Sequence, residues 1–194
     1  MKEVRVIEIR ATDPSADGDQ ALIISGRPIV YETPTTIHDP VGEYIEVIQR
    51  GALDGADLSD VRLLVNHDQT RIPLARVPKT MTLAVDNDGL TFRATLPDTE
   101  AGREVYEAVR RGDLSGMSFA FSVPDGGDQY DARTNTRTIS KIAKVYECSI
   151  VSYPAYESTC VSVESRSVRQ AGQAREQARL KAKILINQIL RVRC

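Results

Sequence analysis

Residues 81–96, Met-Thr-Leu-Ala-Val-Asp-Asn-Asp-Gly-Leu-Thr-Phe-Arg-Ala-Thr-Leu, decide the fold class. Two apolar, β-branched runs flank Asp86-Asn87-Asp88-Gly89, a four-residue stretch rich in the side chains that turns require, so the segment predicts a β-hairpin. Moving toward the N-terminus, residues 62–65 (Arg-Leu-Leu-Val) read as a strand entering Asn66-His67-Asp68. Residues 43–49 read as a strand or the approach to a short helix. Residues 4–9 and 21–26 are β-branched runs on either side of the turn-rich 13–19, which predicts a hairpin-type start.

Toward the C-terminus, Asp98-Thr99 supplies an N-cap, Ala101, Val105, Ala108 and Val109 share one face, and Gly112 follows Arg110-Arg111 as a C-cap should. The pattern predicts a helix over 100–111. Phe119, Phe121 and Val123 then alternate along a strand at 118–123, and residues 144–152 form another, with loops at 125–128 and 134–135. The expected body is mainly β (α+β) and mostly antiparallel.

Residues 165–194 carry eight Lys/Arg against the single Glu176, a local charge of +7, which leaves −9 for residues 1–164. Ala171, Ala174, Ala178, Ala182, Leu185, Ile189 and Val192 recur three and four apart, so this segment reads as a basic amphipathic helix. Such a helix docks on its own domain or on a partner. At 194 residues with 41% hydrophobic content, the chain has material for one core plus this appendage. We expect a domain over 1–163 and an extension over 164–194. The N-terminus has no signal-peptide pattern, and residues 184–190 are too short to span a bilayer, so a soluble, unexported protein is expected. Cys148, Cys160 and Cys194 are odd in number and lack metal-ligand spacing, which favours free thiols.

A serine hydroxyl needs an imidazole to take its proton, and that imidazole needs an acceptor to fix its tautomer. Of the two histidines, His38 lies in a Pro- and Thr-rich stretch that reads as exposed loop, whereas His67 ends an apolar strand. Ser115 and Ser118 compete as nucleophile; Gly116 beside them lets backbone N–H groups approach an oxyanion. Residues 116–120 only superficially resemble the GxSxG elbow, since no helix follows the serine. Glu147, flanked by Tyr146 and Cys148 inside this strand, either faces water or is buried against a donor such as an imidazole N–H. Asp68 would point away from His67 in an extended chain, and Cys148 away from the face of Glu147.

Residues 61–68 (Val-Arg-Leu-Leu-Val-Asn-His-Asp), 90–92 (Leu-Thr-Phe), 109–121 (Val-Arg-Arg-Gly-Asp-Leu-Ser-Gly-Met-Ser-Phe-Ala-Phe) and 147–156 (Glu-Cys-Ser-Ile-Val-Ser-Tyr-Pro-Ala-Tyr) occur in the order seen in the prohead serine proteases of tailed phages. Residues 43–53 also resemble that family's approach to the histidine strand, and the likeness spans about residues 20–160. The resemblance implies a fold similar to the herpesvirus assembly proteases, an antiparallel β-barrel wrapped by helices. It places the family's histidine on His67, its nucleophile on Ser118 rather than Ser115, and its acidic member on Glu147. Ala75 and Ala120 stand where many relatives carry glycine.

The activity so implied is a serine endopeptidase without cofactor or metal, acting in the bacterial host cytoplasm inside the assembling prohead. Its implied partners are the major capsid protein with its scaffolding region, the protease's own ends, the portal, and a second copy, a dimer by analogy with the herpesvirus enzymes. No membrane and no specific nucleic acid is implied. The alternative is a noncatalytic head-assembly or scaffolding module on the same fold. A nucleic-acid binder rests on the basic tail alone, since the body is acidic and only 5% of residues are aromatic.

Overall fold

The computed structural model describes residues 3–8, 21–39 and 42–152. Along the chain these form β1 (Glu3–Glu8), β2 (Ile23–Val30), β3 (Thr35–Asp39), β4 (Gly42–Ile48), β5 (Arg62–Val65), β6 (Ala75–Arg76), β7 (Met81–Asp86) and β8 (Gly89–Thr95). There follow α1 (Glu100–Arg111), β9 (Gly116–Ser122), β10 (Asp128–Asp131), β11 (Thr136–Ile139) and β12 (Lys144–Val151).

The expected hairpin is β7–β8, with a tighter turn than four residues. Asp86 pairs with Gly89, leaving a two-residue loop, and Asp86 Oδ1 accepts from the N–H groups of Asp88 (2.9 Å) and Gly89 (3.0 Å). Gly89 has φ +140°, and a Cβ there would lie 2.0 Å from the Ile29 carbonyl oxygen, so no larger residue fits. Helix α1 begins and ends where its caps dictate. Thr99 Oγ1 accepts from the Gly102 N–H at 3.3 Å, and Gly112 adopts the left-handed conformation and returns its own N–H to the last turn.

The strands make three sheets, ordered β1-β9-β12-β5-β6, β10-β11-β4-β3 and β2-β8-β7. Most pairs are antiparallel, but β12–β5 and β11–β4 are parallel. The expected closed barrel is therefore corrected: among the described residues each sheet is open, because its outermost strands pair with no strand of a neighbouring sheet. One reason is geometric. Strand β6 is two residues long, too short to carry a ladder onward, and the second and third sheets meet through single backbone bonds such as Glu32 N–H to Ile48 O, 2.8 Å.

The expected wrapping of helices reduces to α1 among the described residues. The C-terminal amphipathic helix and the 163/164 domain boundary lie outside the described residues. The hairpin-type start is also corrected: β1 pairs with β9 and β2 with β8, so the two runs join different sheets. Edge strand β1 gains six register pairs on β9 that a hairpin with β2 would forgo.

Strand β9 positions the site. All seven of its residues are buried. Met117, Phe119 and Phe121 face the core, with the two phenyl rings stacked at 5.1 Å, alongside Val145, Cys148 and Ile150 of β12 and Leu63 of β5. Burying each such side chain is worth about 1.5–3 kcal/mol, so this face anchors the central strands. Ser118, Ala120 and Ser122 take the opposite face.

Candidate active site

The pairing of β9 with β12 is continuous except at one point. Val145 pairs with Phe121 and Glu147 with Ala120, which leaves Tyr146 extruded as a β-bulge. Side chains alternate along a regular strand, so if Tyr146 were paired like its neighbours Glu147 would point into the core with Val145. The bulge instead turns Glu147 onto the face of Ser118 while Cys148 stays with Phe119 in the core. The Tyr146 hydroxyl reaches Ser122 Oγ at 3.4 Å on that same face.

His67 arrives from β5 through a turn of unusual backbone. Asn66 and His67 have φ of 50° and 59°, and the Asp68 N–H donates to Val65 O at 3.0 Å. Two successive left-handed residues inside one closed turn make the mirror image of a type I turn. Each such residue costs on the order of 1–2 kcal/mol unless it is Gly or, to a lesser degree, Asn. Asn66 offsets part of that: its N–H donates to Ile150 O (2.9 Å), and its side-chain Oδ1 accepts from the Ser152 N–H (3.1 Å). The turn is thereby fastened to the end of β12.

The result brings His67 and Glu147 together, 80 residues apart in the chain. His67 Nδ1 lies 2.7 Å from Glu147 Oε1. The carboxylate is buried, 4% exposed, whereas the imidazole is 30% exposed. A buried carboxylate held on Nδ1 leaves Nε2 as the ring nitrogen free to exchange a proton with another group. Ser149 Oγ donates to the other carboxylate oxygen, Oε2, at 2.5 Å. Both oxygens of Glu147 are thus engaged inside the sheet, as a charge this buried requires.

Ser118 lies on the same face, as the direct Cα partner of Ser149. It is fully buried, and its hydroxyl makes no hydrogen bond among the described residues. The structure therefore joins His67 to Glu147 and sets Ser118 in the adjoining strand, but no hydrogen bond links Ser118 Oγ to the imidazole.

The rival residues fall elsewhere. His38 is on edge strand β3 rather than in a loop; it is exposed and sits 3.2 Å from Glu43 Oε2. Ser115 is half-buried in the connection between α1 and β9. Asp68 caps its own turn, accepting from Thr70 N–H (2.9 Å) and Thr70 Oγ1 (2.5 Å), and these bonds hold its carboxyl below the usual range. Cys148 is completely buried, which pushes its thiol far above the usual range and keeps it from the thiolate form. Ala120 is buried opposite Glu147.

Three contributors went unread in the sequence: Asn66, Tyr146 and Ser149. Glu147-x-Ser149 has the two-residue spacing that puts both on one strand face, and Asn-His after an apolar strand is compatible with a left-handed turn. The bulge has no comparable signature.

The family model described as caudovirus prohead serine protease matches residues 6–174. The chain belongs to that family. His67, Ser118 and Glu147 all lie within the matched span of this prohead protease, and the match extends into the basic segment as far as residue 174. No curated protein matches the chain. Among solved structures it is similar to the bacteriophage T4 capsid assembly protease, at 14% identity and a TM-score of 0.48, over 79% of this chain and 98% of that one. Among the described residues, no helix is long and apolar enough to cross a membrane.

Proposed function

We propose that this prohead protease cleaves the scaffolding region of the major capsid protein, and its own ends, with Ser118 as nucleophile, His67 as base and Glu147 as the acidic member. Ser118 Oγ attacks the scissile carbonyl as His67 Nε2 takes its proton; the imidazolium so formed is stabilised by Glu147 and then protonates the leaving amine. Water repeats the sequence on the acyl-enzyme. The observation that carries this reading is the 2.7 Å contact of His67 Nδ1 with the buried Glu147 carboxylate, on the sheet face that also bears Ser118. Catalytic hydrogen bonds unmade in a free enzyme commonly form only when substrate docks, so the unbonded Ser118 hydroxyl is consistent with the role.

The reaction takes place inside the assembling prohead in the host. Capsid and scaffold chains are the partners, the portal is a neighbour, and a dimer is the proposed assembly. Residues 1–163 form the proposed protease domain, and residues 164–194 a removable anchor. Co-expression with the capsid protein, followed by gel electrophoresis and mass spectrometry, tests this. Wild-type protein should shorten the capsid chain and Ser118→Ala should not; persistent cleavage by Ser118→Ala removes the assignment.

A further inference from the structure

Ser149 is a fully buried hydroxyl in a strand stretch otherwise made of Cys148, Ile150 and Val151. An alanine would pack there equally well, and a buried hydroxyl is unfavourable unless it is bonded. Its hydroxyl donates to Glu147 Oε2 at 2.5 Å, while Oε1 of the same carboxylate meets His67 Nδ1 at 2.7 Å. The bulge at Tyr146 puts both residues on this face, two apart on one strand.

A carboxylate turns easily about its last side-chain bond, because that torsion is broad and twofold. A single bond to the imidazole therefore leaves its orientation loosely set. A second donor on the other oxygen fixes the plane, and donation to the ionised form keeps the group charged.

We propose that Ser149 is a positioning residue: its hydroxyl pins the Glu147 carboxylate so that Oε1 stays on His67 Nδ1. This rests on the reading of His67 and Glu147 as the base and its acidic partner. The contribution should be that of a hydrogen bond to a charged group, which corresponds to about tenfold or more in rate.

The test uses Ser149→Ala, Ser149→Thr and the near-isosteric Ser149→Cys in the full chain, assayed on a peptide spanning a mapped cleavage site. Ser149→Ala and Ser149→Cys should lower kcat about tenfold with KM within about twofold, and Ser149→Thr should restore kcat to within about threefold. If the alanine protein does not fold, the cysteine protein decides. In a Glu147→Ala background, Ser149→Ala should change kcat by less than about twofold, since its target is gone. Wild-type kcat in Ser149→Cys, no rescue by threonine, or a further tenfold loss in the Glu147→Ala background overturns the proposal.

A second readout needs no activity. In Ser118→Ala protein, the low-field proton NMR signal of His67 Nδ1–H bonded to Glu147 should be present, and adding Ser149→Ala should broaden it or move it upfield. An unchanged signal overturns the role of Ser149, whereas cleavage that persists in Ser118→Ala overturns the nucleophile assignment instead.

Discussion

Ser118 and Ser149 face each other as Cα partners across β9 and β12, both fully buried, yet among the described residues only the Ser149 hydroxyl has a hydrogen-bond partner. An unsatisfied buried hydroxyl opposes folding. Ser118→Ala should therefore be more stable than the wild type, by about 1 kcal/mol, even as it abolishes cleavage. Denaturant unfolding of the two proteins checks this; a clear loss of stability would mean that the hydroxyl has a partner in solution.

Asn66 spans the strained turn that delivers His67. Asn66→Gly keeps the left-handed backbone easy but loses the side-chain bonds to Ser152, whereas Asn66→Ala loses both. Stability should fall in the order wild type, Gly, Ala, with about 1 kcal/mol separating the last two. Urea midpoints give the order, and proteolytic activity should follow it.

Gly102 lies inside α1, where replacing glycine by alanine normally gains about 1 kcal/mol. Here a Cβ would stand 2.0 Å from the Pro97 carbonyl oxygen, within the backbone that feeds the helix. Gly102→Ala should lower the melting temperature, and a rise would show that the entry to α1 can shift.

Acid should destabilise the fold through its exposed ion pairs. The Lys144 ammonium at 2.6 Å holds the Asp57 carboxyl well below its usual range, with Ser59 assisting, and the Arg27 guanidinium at 2.6 Å does the same for Asp86. A carboxyl depressed in the folded state contributes stability above the unfolded value of about 3.9, and that contribution is lost as pH falls toward the folded value. Denaturant midpoints should drop on going below about pH 4, less steeply in Asp57→Asn. An unchanged pH profile in that variant would rule out the Asp57–Lys144 pair as a contributor.

The features legible in the sequence were those governed by near neighbours along the chain. The hairpin at 81–96 and the helix at 100–111 carry their own turn and cap residues, and both appear within a residue or two of expectation. Residues 35–39 read as loop because Pro34 and Pro40 bracket so short a run, and the polar β10–β11 ladder has little hydrophobic alternation. The parallel pairings of β12 with β5 and β11 with β4 depend on segments about 80 to 90 residues apart, which no local pattern encodes. At the site, His67 and Glu147 were readable as an imidazole and a carboxylate that each needed a partner. Ser149 and Asn66 were not, since an ordinary serine and asparagine acquire their roles only once β12 and its bulge exist.

Tyr146 makes the two halves of β12 run out of phase by one residue. The ladder closes on either side of it without its help: removing Tyr146 would leave Val145 against Phe121 and Glu147 against Ala120, with core and site faces as they are, whereas removing a paired residue such as Cys148 would exchange the faces on one side of the cut. Loss of Cys148 would carry Ser149 into the core position opposite Phe119, or drive the Glu147 carboxylate there instead. Core and site are thus tied to each other by the count of paired residues in β12, and a single-residue deletion at Cys148 should be far less tolerated than one at Tyr146.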